Sequence, residues 1–324
     1  MYDESARPWD PKCGSFDRMY AAIHGVQTMS RAEAAIATQL PVLDTFGLEP
    51  GGPAFNPSLT LFNGKVMALV RTLIPNTTRT VNVLGEVRDR GLRDFASVGE
   101  TRVMPTLQGF EDCRLFALGD ELWAVGAHGQ PQAGPTAGVA RSSVALLKIE
   151  RGVGVSGLEF VEAHSQPTDR YEKNWVPVVL PDGGLKLIYA TSPVVVLGWD
   201  HAARKAQFPS LPANCGILRG GTALIPYQGG WLSLAHEVSG GQGQEVLYAH
   251  RFVRFNKELT ESKAGKAFYF QKRGVEFAAG LLHMADRGSF FVSHGVEDNA
   301  GLTGQKHAFV AEVAEETVEE MLEV

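Results

Sequence analysis

The chain has 324 residues, with 30 Lys and Arg against 36 Asp and Glu for a formal charge of −6, and 44% of its side chains are hydrophobic. This is enough apolar material for a packed core, and it excludes disordered, collagen-like and coiled-coil chains. The cations are scattered rather than gathered into a basic stripe, and no apolar run approaches the ~18–20 residues that span a bilayer, so neither nucleic acid nor membrane is an expected partner.

In chain order, the first predicted element is a helix over Arg31–Gln39: Ser30 and Glu33 form a capping box, alanines follow, and Pro41 stops it. Residues up to about 50 read as an N-terminal extension that lacks the apolar stretch of a signal peptide. The ring begins at about Ala54–Phe62, ahead of the first repeat strand. From there the 36 Gly and 17 Pro favour many short strands over long helices. Five times a Gly or Asp turn leads into a short apolar run that ends on a polar side chain: Gly64–Arg71, Asp120–His128, Gly184–Ser192, Gly230–His236 and Gly288–His294. The starts lie 56, 64, 46 and 58 residues apart, too far for a solenoid repeat but suited to a four-stranded propeller blade with insertions. The predicted fold is all-β, a five-bladed β-propeller in a single domain spanning residues 1–324, with each repeat strand innermost in its blade and short N- and C-terminal helices. The segment His307–Val313 predicts a strand that joins the first blade and closes the ring, leaving no free sheet edge. Glu315–Val324, with Val318, Met321 and Leu322 at helical spacing, predicts the terminal helix.

Cys13, Cys113 and Cys215 form neither a CxxC pair nor an even set, so they read as small buried residues of a reducing compartment, and a cytoplasmic location is expected. Gly152, Gly154 and Gly157 form a Gly-x-Gly-x-x-Gly string, but a strand-like segment rather than a helix follows it. A dinucleotide site needs the helix N-terminus, so the string predicts a hairpin turn.

The polar segments that could carry chemistry lie before or within the repeats. They are Asn56 and Ser58 with Arg71; Glu111, Asp112 and Arg114; Lys173, Asn174 and Trp175; Arg219 with His236 and Glu237; and Glu276 with His294 and Asp298. Carboxylates, amides and cations beside Gly or Pro suit a sugar cleft, where hydroxyls need bidentate partners and a ring face needs an aromatic such as Trp175. Singly, each string reads equally as a solvated turn or a blade-linking salt bridge.

Taken in order, these segments resemble glycoside hydrolase family 130, the five-bladed propellers that include β-mannoside phosphorylases and β-1,2-mannosidases. Glu111-Asp112-Cys113-Arg114 is similar to the family's Glu-Asp-Pro-Arg motif, with Cys113 in place of proline. Lys173-Asn174 is similar to its third-blade Lys-Asn pair, His236-Glu237 to a Tyr-His-Gly strand end, and His294–Asp298 to a fifth-blade Tyr-Gly-x-x-Asp. The resemblance implies that Asp112 is the general acid and that Glu237 or Glu276 is the base facing it across a cavity. It also implies a glycoside substrate, mannoside-like and cleaved with inversion, with inorganic phosphate as co-substrate in the phosphorolytic case, and no metal or organic cofactor. Arg71, Lys173, Arg219 and His236 would form the anion site of a phosphorolytic enzyme. Glu237 and Glu276 stand in the later blades, where hydrolytic members keep a pair of glutamates as base, and so favour water as the nucleophile; phosphorolysis stays open, as do glycosyl transfer on the same scaffold and glycan binding without catalysis.

Overall fold

The computed structural model describes residues 36–50, 52–74, 80–98, 110–130, 141–150, 154–163, 173–200, 205–207, 218–241, 244–297 and 307–323. Among the described residues two short strands come first, β1 (Thr38–Gln39) and β2 (Asp44–Gly47). A four-stranded antiparallel sheet follows, made of β3 (Ala54–Phe62), β4 (Lys65–Leu73), β5 (Thr80–Arg88) and β6 (Gly91–Ser97) in that order. An eight-stranded sheet then combines two runs. The first is β7 (Glu111–Leu118), β8 (Glu121–Gln130), β9 (Arg141–Glu150) and β10 (Gly154–Ala163); the second is β11 (Val176–Val179), β12 (Leu185–Thr191), β13 (Val194–Asp200) and β14 (Lys205–Gln207). Within each run neighbours are antiparallel, and the runs meet in a parallel β10–β14 pair.

A seven-stranded sheet contains β15 (Arg219–Gly220), β16 (Ile225–Tyr227), β17 (Gly230–Gly241), β18 (Gln244–Phe255), β19 (Ser262–Ala264) and β20 (Phe268–Tyr269), with β1 on its far edge. The last sheet runs β21 (Glu276–Met284), β22 (Ser289–Val296) and β23 (Ala308–Ala314), with β2 outermost; helix α1 (Glu315–Leu322) ends the described chain.

Each predicted repeat strand is present as β4, β8, β12, β17 or β22, and each follows a tight turn whose glycine has positive φ: Gly64, Gly119, Gly183, Gly229 or Gly288. That is the conformation a two-residue hairpin needs. The repeat strands are second in their runs, not innermost. The edge positions belong to the partners across those hairpins: β3 packs against β7 and β21 of the neighbouring sheets, and β7 against β11 at the opposite edge of its own sheet.

Two further expectations change. The predicted Arg31–Gln39 helix falls largely outside the described residues, and its last residues, Thr38 and Gln39, are strand, paired in parallel with Phe268 and Tyr269. At these two residues pairing with an available sheet edge outweighs local helical preference. The strand from Ala308 does not join the first sheet: β23 pairs with β22 and takes β2 as its outer neighbour, so both chain ends contribute to the last sheet. Of the Gly-rich string, Gly154 and Gly157 lie in β10 where it pairs antiparallel with the end of β9, as a hairpin requires, and Gly152 lies outside the described residues.

The cores lie between sheets. Leu69, Leu84, Leu115 and Leu147 pack the first sheet on the β7–β10 run, and Leu59, Val70, Phe291 and Val310 pack it on the last sheet. Trp175, Leu146, Leu187 and Trp199 fill the space within the eight-stranded sheet. Helix α1 presents Val318, Met321 and Leu322 to Phe252, Phe268 and Phe290.

Candidate active site

The edge strands do not begin as regular strands. The register of β3 shifts between Phe55 and Ser58, and that of β7 between Glu111 and Arg114. The residues inside these bulges, Asn56 (φ 47°) and Asp112 (φ 49°), adopt the left-handed conformation, as does Asn174 (φ 63°) just before β11. Asn and Asp are the residues that tolerate this region best, and a bulge re-aims its side chain out of the alternating pattern. Here the two bulges bring Asn56 and Asp112 together, with Asn56 Nδ2 donating to Asp112 Oδ1 at 2.9 Å.

These side chains line a cavity of about 50 Å³ with Lys173, His236, Tyr248, Val275, Phe277, Gly295 and Glu297. A Cβ on Gly295 would come within 2.5 Å of Asn56 Oδ1, so only glycine lets β22 approach there. Burial lowers the pKa of the Lys173 ammonium, against the raising effect of Asp112. His236 stacks on Tyr248 at 5.5 Å and meets the edge of Phe277 at 5.2 Å. Burial, reinforced by the charge of Arg219 and then by His250 and Lys173, holds His236 well below the ordinary imidazole value, so it is neutral at pH 7. Its Nδ1 is buried without a protein partner, as is the Nδ2 of Asn174, and both can serve a polar ligand or water. On the rim, Glu297 pairs with Lys272, which draws its carboxyl below the usual range.

No protein-family model matches the chain. No curated protein matches it. Solved structures do. A β-1,2-mannobiose phosphorylase from Listeria innocua, in complex with β-1,2-mannobiose, superposes with a TM-score of 0.52 over 86% of this chain and 93% of that one, at 12% identity. Two proteins from Leishmania mexicana each give a TM-score of 0.55 at 12% identity over 85% of this chain. One is a mannose phosphorylase in complex with phosphate, covered over 89%, and the other a GDP-Man-dependent mannosyltransferase, covered over 90%. The fold resembles that of glycoside hydrolase family 130. At this distance the likeness is one of architecture.

Within this family-130-like fold, Asn56, Asp112, Lys173 and His236 meet at one cavity. Arg219 lies behind it, directly across the β15–β17 pair from His236. The other candidates are placed elsewhere. Ser58 is fully buried; its hydroxyl donates to Ala279 O at 3.0 Å and accepts from Leu115 N at 2.7 Å, tying β3 to β21 and β7. Arg71 donates to Glu111 Oε1 (2.7 Å) and Thr80 Oγ1 (3.0 Å), so Arg71 and Glu111 form an ion pair beside the cavity rather than in its lining. Arg114 is buried and spends its donors on the carbonyls of Asp112, Gly220 and Gly221 and on Asn174 Oδ1, joining β7 to the starts of β11 and β15. Trp175 packs edge-on against Tyr189 in the core and offers no face to a sugar.

Neither predicted base faces Asp112. Glu237 follows His236 on β17, and successive strand residues point to opposite faces. It is buried and paired with Arg251. Glu276 is fully buried and accepts three backbone amides. His294 is buried between Phe270 (4.2 Å) and Phe309 (5.7 Å), its Nε2 within 3.1 Å of Gln271 Nε2, away from the cavity lining. Asp298 and the side chain of His128 lie outside the described residues. Tyr248, Glu297 and Lys272 were not singled out from sequence. Tyr248 sits in a long regular strand with no distinguishing neighbour, whereas Glu297 stood within the fifth-repeat segment beside the acid selected there.

Proposed function

We propose that the sheets close into a five-bladed propeller and that the chain is a carbohydrate-active enzyme cleaving a mannoside-like glycoside at the Asp112 cavity with inversion. The observation that carries this reading is the convergence of Asn56, Asp112, Lys173 and His236 from separate runs of strands on one cavity, two of them through strained bulges. Asp112 supplies the proton towards the leaving oxygen, directly or through a sugar hydroxyl, while Asn56 orients its carboxyl. Architectural likeness to a mannobiose phosphorylase and a mannose phosphorylase supports the substrate class.

Between the two nucleophiles, the placement of the glutamates favours phosphate. Water needs a base to become a competent nucleophile, and Glu237 and Glu276 are both engaged inside the protein. Phosphate brings its own negative charge. Lys173, backed by the Arg219 charge, offers it a cation in the cavity wall. Glycosyl transfer is the second reading, favoured by the mannosyltransferase neighbour, since a nucleotide-sugar diphosphate would use the same cation.

The test is to incubate the protein with manno-oligosaccharides with and without inorganic phosphate, and with GDP-mannose. Mannose 1-phosphate formed only when phosphate is present is the expected outcome. Free mannose released at a rate independent of phosphate would replace phosphorolysis with hydrolysis, consumption of GDP-mannose alone would replace it with transfer, and no turnover of any of these would overturn the enzyme reading.

A further inference from the structure

Glu276 is 0% exposed, and its carboxylate accepts the backbone amides of three consecutive residues: Phe270 at 2.6 Å, Gln271 at 2.8 Å and Lys272 at 3.0 Å. Such a concave set of amides is an anion nest, here filled by a side chain of the protein itself. Charge-assisted bonds to both oxygens fix the backbone of the 270–272 turn. The turn's side chains then reach across to the last sheet. Phe270 stacks on His294, Gln271 Nε2 meets His294 Nε2, and Lys272 pairs with Glu297, which lines the cavity. Lys272 and Glu297 are each nearly half exposed, and an exposed pair of two long side chains holds no fixed geometry by itself. Something must anchor one end. The cavity of about 50 Å³ has room for a few waters, far below the ~300 Å³ at which ligand pockets begin, so a glycoside has to use this rim.

We propose that Glu276 is a positioning residue: by holding the backbone of Phe270–Lys272 it aims Lys272 at Glu297, and so fixes the Glu297 carboxylate where it accepts the hydroxyls of a sugar seated over Asp112. The sugar half of this statement rests on the proposed function; the Glu276–Lys272–Glu297 half does not.

Glu276→Gln keeps the shape but replaces one acceptor oxygen by an NH₂ that faces amide donors, so the turn loosens. The first measurement is the titration of Glu297, followed by NMR in protein with labelled glutamate and assigned through Glu297→Gln. In wild type Lys272 holds it low. Glu276→Gln and Lys272→Ala are each expected to raise it towards an ordinary glutamate, and the double variant to add nothing. A Glu297 that titrates alike in wild type and Glu276→Gln would overturn the proposal. Should Glu276→Gln fail to fold, Glu276→Asp, which keeps the charge but reaches fewer amides, is expected to shift Glu297 part of the way; no shift is again the overturning result.

The second measurement is kinetic. The KM for a manno-oligosaccharide is expected to rise about tenfold in either single variant and in the double, with kcat within about twofold, the pattern of lost uniform binding. A kcat lowered by ~10²-fold at unchanged KM would make Glu276 a member of the reacting group and overturn its positioning role. A wild-type chain that turns over no glycoside would refute the functional reading alone, because the Glu297 titration needs no substrate.

Discussion

Asp112 is the residue on which the proposed chemistry turns, and its geometry makes a clean substitution available. Asn in its place keeps the shape, tolerates φ near 49° and still offers Oδ1 to Asn56 Nδ2, but carries no transferable proton. Asp112→Asn is therefore expected to lower kcat by roughly 10²–10⁴-fold while glycoside binding, measured by calorimetry, changes little. Near-native turnover would exclude Asp112 as the acid. The same scale explains what a residue string hides. His236 and Glu237 are neighbours on one strand, so alternation alone forbids both from facing the cavity. Glu276 is different: nothing in its flanking residues announces that three amides six, five and four positions earlier will close on it.

At the level of elements, the hairpins were legible and their first strands were not. A Gly turn followed by an apolar run marks β4, β8, β12, β17 and β22 plainly. By contrast β3 and β7 are broken by bulges at polar residues in left-handed conformation, and β15 is only two residues long, so the alternating pattern that identifies a strand is lost. The interruptions that concealed these strands are the ones that build the cavity. Helix α1 was legible because its apolar spacing agrees with where it packs, and Glu315 and Glu316 suit the positive end of its dipole. Its seat is tight: Lys266 N donates to Met321 O at 2.7 Å, and a Cβ on Gly265 would lie 2.2 Å from that same oxygen. Gly265→Ala is expected to push the helix off its seat and destabilise the protein by about 1–3 kcal/mol, read as a lower denaturant midpoint. An unchanged midpoint would mean that the helix contributes little to the fold.

Across the whole molecule, stability is linked to pH through buried imidazoles. Burial holds His250 at about 3, helped by His294, and His294 itself at about 3. In the unfolded chain both sit near ~6.5. Between these values the unfolded state takes up protons that the native state refuses, so stability is full above pH ~6.5 and falls as the solution is acidified. Each histidine contributes a slope of about 1.4 kcal/mol per pH unit, so the pair removes roughly 4–5 kcal/mol between pH 6.5 and 4.5. Urea denaturation at the two pH values should show this loss, and a His250→Phe, His294→Phe double variant should show much less of it; an equal loss in both would assign acid lability to other groups.

The last sheet has a consequence in time. Gly47 on β2 pairs with Phe309 on β23, about 260 residues later. At translation rates of ~5–20 residues per second, β2 waits roughly 15–50 seconds for its partner to be made. During synthesis the β4 face of β3 can be covered early, but the side that packs on β21 cannot, and the apolar side chains of Leu59, Val70 and Val83 lack the Phe291 and Val310 that cover them in the finished fold. The nascent chain thus spends most of its time on the ribosome with a sticky first sheet, and that interval is where chaperone engagement should be concentrated.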